Sequence, residues 1–248
     1  MSISTRIKAA MEGSSWIRRM FEEGRELKAR LGADQVFDFT LGNPDLEPPP
    51  RFKEALAAAV QDPRPGLHAY MPNAGLPVTR QALADHLGRV HQLPFAADDL
   101  ILTVGAAGAL NVILKTILDP GDEVVVLAPY FVEYLTYVDN HGGVAKVAET
   151  DENFQIDLNR LAAALGPRTR AVIINSPNNP TGQVYEAATL AALGELLGQQ
   201  SARQGRPVYL VADEPYRRIV YDNLPVPSIF AAYPDTVLAT SFSKDLSI

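Results

Sequence analysis

Two periodicities divide the chain. Over its first 91 residues, apolar positions recur at helical spacing. Ile17, Met20, Phe21, Leu27 and Leu31 share one face of a helix predicted over 15–31, with Ser14 or Ser15 to cap it and Gly32 to end it. VFDFTLGNPDLEPPP then predicts a short strand followed by a proline-rich connection. Two further helices are predicted around 51–61 and 75–91, separated by the turn-rich PRPGLHAYMPNAG.

From residue 100 short, β-rich apolar runs alternate with helical ones. The runs are ILTVG (101–105), EVVVLAP (123–129), GVAKVAE (143–149), AVIINSP (171–177), PVYLVADE (207–214) and TVLATSFS (236–243). Helices are predicted near 106–117, 131–140, 157–165 and 186–200. The third of these has Asp157 as N-cap, Leu158, Leu161 and Leu165 on one face, and Gly166-Pro167 as its stop. Near-continuous apolar strands alternating with helices predict an α/β fold: a three-layer α/β/α arrangement with a mostly parallel sheet covered on both faces.

Such sheets bind ligands outside the carboxyl ends of their strands. The polar residues of this sequence gather at those ends. Gly105-Ala106-Ala107 follows the first run, Pro129-Tyr130-Phe131 the second, and Asn175 to Gly182 the fourth. Asp213-Glu214-Pro215-Tyr216 follows the fifth and Ser241-Phe242-Ser243-Lys244 the sixth. A set on five strands points to a single pocket.

Composition narrows the chemistry. The 248 residues are 47% hydrophobic and 21% charged, which is ordinary globular composition. A net charge of −7 argues against a nucleic-acid face and predicts a soluble, cytoplasmic protein. With no cysteine, disulfides, thiolate metal sites and a cysteine nucleophile are excluded. His68, His86, His91 and His141 form neither HxH nor HExxH, so no zinc site is expected. The N-terminal MSISTRIKAAMEGSSW has no long apolar run, and no stretch approaches the roughly 20 apolar residues that span a bilayer; neither a signal peptide nor a membrane helix is expected.

Each strand-end feature alone has a plain structural explanation. GAAGAL can be an ordinary tight turn, although amides at a helix start also suit a phosphate. It matches neither GxGxxG nor GxxxxGK[ST], so a dinucleotide or a nucleoside triphosphate has no support. Asp213 can be a structural ion pair, Lys244 a solvated lysine, Phe131 core packing, and NNPTG a turn. Together they describe one ligand. A phosphate at a helix start, an aromatic face, a carboxylate and a pocket lysine that can attack a carbonyl are the means by which proteins bind pyridoxal phosphate.

On these residues the chain resembles the fold-type-I, class I/II aminotransferases of the aspartate aminotransferase kind, from about Phe39 to Ile248. SPNNPTG (176–182), ADEPY (212–216) and SFSK (241–244) occur in the family's order. The resemblance implies a pyridoxal-phosphate enzyme that moves an amino group between an α-amino acid and a 2-oxo acid. Lys244 would form the Schiff base and shuttle the proton, Asp213 would pair with the pyridine nitrogen, and Asn179 and Tyr216 would bond the phenolic oxygen. Phe131 would stack on the ring, and Ala106, Ala107 and Ser241 would hold the phosphate. Tyr70 would reach the phosphate of a neighbouring subunit, implying a homodimer, while Gly42 and Asn179 would lie against the substrate. Residues 1–45 would be an N-terminal arm and small-domain segment, and 46–248 a large domain incomplete at its C-terminus.

The resemblance also implies parts beyond Ile248: an arginine for the cofactor phosphate, a small domain with an arginine for the substrate carboxylate, and an antiparallel strand beside the lysine strand. Their absence predicts that the 248-residue chain alone is inactive or unstable. Three other readings share some of these residues. Carbon–sulfur lyases and cyclopropane-forming synthases have the same fold, and their discriminating residues lie mostly beyond Ile248. A non-catalytic regulatory module would carry a helix–turn–helix ahead of LGNPD, where only one helix is predicted. A plain nucleotide-binding domain leaves SFSK unexplained.

Overall fold

The computed structural model describes residues 3–5, 7–8, 15–39 and 42–248. The chain divides into two compact units, Met1–Leu46 and Glu47–Ile248.

In the first unit, α1 spans Ser15–Leu31. It ends as the sequence predicts: the N–H of Gly32 reaches the Lys28 carbonyl at 3.0 Å, and Gly32 takes φ +98°, a backbone region that glycine enters without steric cost. Ser14, one of its two expected caps, lies outside the described residues. Lys28 pairs with Asp38 at 2.7 Å beyond the helix. Over the described residues 36–39 the expected short strand is not formed: they are irregular, with Phe37 83% and Phe39 93% exposed, and no strand among the described residues pairs with them.

In the second unit, α2 (Pro50–Gln61) and α3 (Pro77–His91) each begin with proline, whose missing N–H costs nothing at a first helical position. The ILTVG run does not form the expected strand either. Leu102 donates one backbone bond to Ala74 at 3.0 Å, while Ile101 and Val104 are 63% and 94% exposed. A strand exists only as a partner of another strand, and no strand among the described residues pairs with 101–104.

The remaining elements alternate: α4 (Gly105–Ile117), β1 (Glu123–Ala128), α5 (Glu133–Asn140), β2 (Val144–Glu149), α6 (Leu158–Ala164), β3 (Thr169–Asn175), α7 (Ala187–Gln204), β4 (Tyr209–Asp213) and β5 (Thr236–Ala239). The five strands form one all-parallel sheet in the order β2-β1-β3-β4-β5. The α6 frame is as read from the sequence, with the Asp157 carboxylate accepting from the N–H groups of Asn159 and Arg160.

Both faces of the sheet are covered, which makes three layers. Side chains alternate along each strand, so Val125, Leu127, Val172, Ile174, Leu210 and Ala212 pack with Leu161 of α6 and Leu190, Leu193 and Leu197 of α7. Their neighbours Val124, Val126, Ala171, Ile173 and Val211 pack with Leu110 and Leu114 of α4 and with Tyr134 and Val138 of α5. Every one of these leucines is at most 4% exposed, and truncating any of them to alanine should cost about 2–5 kcal/mol.

Candidate active site

Strand order locates the site. From β1 the chain crosses over α5 to β2 on one side, and from β3 it crosses over α7 to β4 on the other. The loops leaving β1 and β3 therefore part company and leave a crevice at the carboxyl edge of the sheet. Phe131 lies on the first of these loops and Asn179 on the second.

Asp213 closes β4 and is 6% exposed. Parallel pairing sets it opposite Asn175, the last residue of β3. Asn175 Nδ2 donates to the Asp213 carbonyl at 2.7 Å, and its Oδ1 accepts the N–H of Asn179 at 2.5 Å. One buried amide thus ties the floor of the crevice to the loop above it. The Asp213 carboxylate has a bond on one side only. Tyr134 Oη donates to Oδ2 at 2.6 Å, while Oδ1 is buried without a hydrogen-bond partner. Burial pushes the carboxyl up to about 6, against the opposing pull of the Tyr134 bond.

The Tyr216 phenol is pushed up, first by burial and then by the charge of Asp213, with the nearby Asn179 side chain pulling the other way. The turn carrying Tyr216 is braced from beneath. Arg217 Nη1 pairs with Glu214 Oε2 at 2.9 Å and donates to the Pro227 carbonyl at 3.0 Å, and its Nη2 donates to the Val226 carbonyl at 2.8 Å.

The segment after β5 is pinned beside this turn. The Glu214 N–H donates to the Ala239 carbonyl at 2.9 Å, and Thr240 Oγ1 donates to the Glu214 carbonyl at 3.0 Å. Ser241 and the half-buried Lys244 follow directly, the lysine within a turn over 243–245. Across β5 stands α4, which opens at Gly105 with φ +67°. The Gly105 N–H donates to the Thr103 carbonyl at 3.1 Å and the Gly108 N–H to the Val104 carbonyl at 3.3 Å, so helix geometry leaves the amides of Ala106 and Ala107 between them for a ligand.

Of the residues singled out in the sequence, Asp213, Asn179, Tyr216 and Phe131 belong to one connected group, with Ser241 and Lys244 on the adjoining segment. Tyr70 stands outside that group, fully exposed on the connection between α2 and α3, and Gly42 is an exposed residue of the first unit. Sequence reasoning passed over Asn175 and Tyr134. Tyr134 had a detectable signal, since it lies three residues beyond Phe131 and so on the same side of a turn. The two rings meet edge to face at 5.6 Å and 83°. Among the described residues no group of three or more histidine or acidic side chains could hold a metal, and no helix is long and apolar enough to cross a membrane.

Comparison with known proteins identifies the family and the fold. The profile of the family "Aminotransferase class I and II" matches residues 34–248. The chain is 42% identical over 195 residues to the aspartate/prephenate aminotransferase of Thermus thermophilus, covering 78% of this chain and 48% of that one. It is 36% identical over 233 residues to the aspartate aminotransferase of Geobacillus stearothermophilus, covering 92% and 56%. An aminotransferase structure from Eubacterium rectale superposes with a TM-score of 0.93 at 39% identity, covering the whole of this chain and 63% of that one. The aspartate aminotransferase of Thermus thermophilus with maleate gives 0.84 at 35% identity, covering 99% and 62%. The chain spans about half the length of the curated relatives it matches. Its fold, the order of its strand-end motifs and these matches agree: the chain belongs to the aminotransferase class I and II family.

Proposed function

We propose that this chain is the cofactor-binding part of a pyridoxal-phosphate-dependent aminotransferase that moves an amino group between an α-amino acid and a 2-oxo acid. One observation carries the reading: Asp213 Oδ1, buried and unpartnered at the carboxyl end of β4, among residues that suit the rest of the cofactor. A buried acceptor left without a donor is costly, and a protonated pyridine nitrogen is the donor that this oxygen lacks.

Bound there, pyridoxal phosphate supplies an electron sink for the pair of electrons left when a substrate α-carbon loses its proton. Each residue has a part matched to its position. The amides of Ala106 and Ala107 and the Ser241 hydroxyl hold the phosphate, and Phe131 covers a ring face. Asn179 and Tyr216 donate to the phenolic oxygen. Asp213 keeps the ring nitrogen protonated through a charge pair in a site shielded from water, where such pairs are strongest. The Lys244 amine would be the covalent anchor, and its Nζ the base that takes the α-proton.

In the same reading residues 1–45 form an arm and small-domain segment, Gly42 and Asn179 meet the substrate, and two copies pair so that the exposed Tyr70 of one reaches the phosphate held by the other. The acidic net charge and the lack of cysteine fit a cytoplasmic setting.

Incubation with pyridoxal phosphate followed by borohydride reduction tests the assignment. The cofactor's mass should appear on the peptide carrying Lys244 and be lost in Lys244→Ala; labelling elsewhere would sink the site. A panel of amino acids then tests the reaction. Release of a 2-oxo acid with the amino group kept on the cofactor marks amino transfer, and free ammonia would assign elimination instead.

A further inference from the structure

Tyr134 touches two walls of the crevice. Its hydroxyl donates to Asp213 Oδ2 at 2.6 Å, its ring stands edge-on to Phe131, and it is 2% exposed. Resting on the function proposed above, we propose that Tyr134 is a positioning residue for the cofactor ring: its hydroxyl fixes which oxygen of an ionised Asp213 faces the site, and its ring sets the tilt of Phe131.

The argument rests on what the other neighbours of Asp213 are already doing. A carboxylate ending a buried strand needs a donor, or it takes up a proton and loses the charge the site requires. Tyr137, one turn further along α5, gives its hydroxyl to Glu133 Oε2 at 2.6 Å. Asn175 spends its amide on the Asp213 backbone carbonyl and not on the carboxylate, and Tyr216 feels the Asp213 charge without a hydrogen bond to it. Glu214 adds negative charge beside Asp213, and its own cation, Arg217, is held by the 226–227 carbonyls. Tyr134 is therefore the donor among these neighbours that opposes burial. With Oδ2 engaged, rotation of the carboxylate is stopped and Oδ1 is left toward the crevice. The Phe131 contact follows from the same placement, since residues three apart on a turn share a side.

The test uses the full chain and Tyr134→Phe, which keeps the ring and removes the donor. In cofactor-free protein with carbon-13-labelled aspartate, the Asp213 carboxyl is assigned by its loss in Asp213→Asn. Its titration midpoint should rise by about one pH unit in Tyr134→Phe, within the range that loss of one buried hydrogen bond produces. An unchanged midpoint would overturn the proposal. Pyridoxal phosphate affinity supplies a second readout. The deficit of Tyr134→Phe should widen several-fold as pH is lowered from 8 to 6, whereas a deficit constant with pH would mark Tyr134 as packing alone and overturn it too. Wild-type chain that binds no cofactor at any pH would defeat the proposed function, while the carboxyl titration would still decide the role of Tyr134. Should Tyr134→Phe fail to fold, the wild type decides: a tyrosine near-ultraviolet change accompanying the Asp213 titration, abolished in Asp213→Asn, supports the coupling, and its absence refutes it.

Discussion

Asn175 and Asp213 stand opposite each other across β3 and β4, and the side chain of the first bonds the backbone carbonyl of the second at 2.7 Å. The same amide group also holds the Asn179 N–H. Replacing it with alanine removes both bonds and leaves two backbone groups of the crevice without partners. Asn175→Ala should cost about 1–3 kcal/mol of stability and lower pyridoxal phosphate affinity at least as much as Asn179→Ala does. Denaturant titration and equilibrium dialysis of the two variants check this.

Asp213 sets function against stability. Its folded value of about 6 lies above the ordinary aspartate value of 3.8, so the folded protein binds this proton more tightly than the unfolded chain. Stability from this group is therefore present below pH 3.8 and is lost as pH rises toward 6. In cofactor-free protein at pH 8, Asp213→Asn should gain up to about 3 kcal/mol, the equivalent of two pKa units at a nearly fully buried site. At pH 4 the gain should shrink. Pyridoxal phosphate should bind the variant far more weakly, because a neutral amide offers the ring nitrogen no charge. Thermal melts at both pH values, with and without cofactor, separate the two effects.

His91 titrates in the opposite sense. It ends α3 at 5% exposure, with Nδ1 sharing a 3.0 Å bond with Ser228 Oγ and Phe230 edge-on at 5.1 Å. Burial, followed by the charges of Arg217 and His86, holds it down to about 4, below the ordinary 6.5. The folded state resists its protonation, so stability falls as pH drops through 6.5 toward 4. Between pH 8 and pH 5 this group should cost about 2 kcal/mol. His91→Phe should lose about 1 kcal/mol at pH 8 with the Ser228 bond, yet show a flatter acid limb. A variant whose acid limb matches the wild type would refute the assignment.

Gly194 marks the closest approach on the α7 side of the sheet. A methyl group there would collide with the backbone carbonyl of Ala232, which has no flexible end to move aside. Gly194→Ala should therefore lose about 3 kcal/mol despite the better helix propensity of alanine. Gly198→Ala one turn later, where the nearest atom is a Tyr233 ring carbon at 3.9 Å, should be neutral or better. Denaturant midpoints of the pair check the contrast.

Much of this molecule could be read from the chain. Local rules sufficed for α6, whose cap, apolar face and stop lie within one short stretch, 157–167. They sufficed also for the set of polar residues at strand ends, since a parallel sheet exposes those ends to one crevice. They failed where identity depends on a neighbour. ILTVG has the composition of a strand, but strand formation is settled by an adjacent strand that its own residues do not describe. Tyr134 reads as one more apolar position of α5, and nothing near it in sequence announces a bond to a carboxylate 79 residues away. Asn175 reads as the first residue of a turn. Its value comes from pairing register, which no single strand encodes.

The sheet order carries a consequence for how the molecule assembles. With every neighbouring pair parallel, no strand can dock on the next through a hairpin, and each pairing must wait for an intervening crossover to close. Such contacts are distant in sequence, so the loop entropy is lost before any ladder forms, and the chain should fold slowly for its size. During that interval β1, β3 and β4, the interior strands of the finished sheet, have unsatisfied edges on both sides and are the segments most able to pair with another chain. Recovery of native protein should therefore depend steeply on concentration and temperature during refolding.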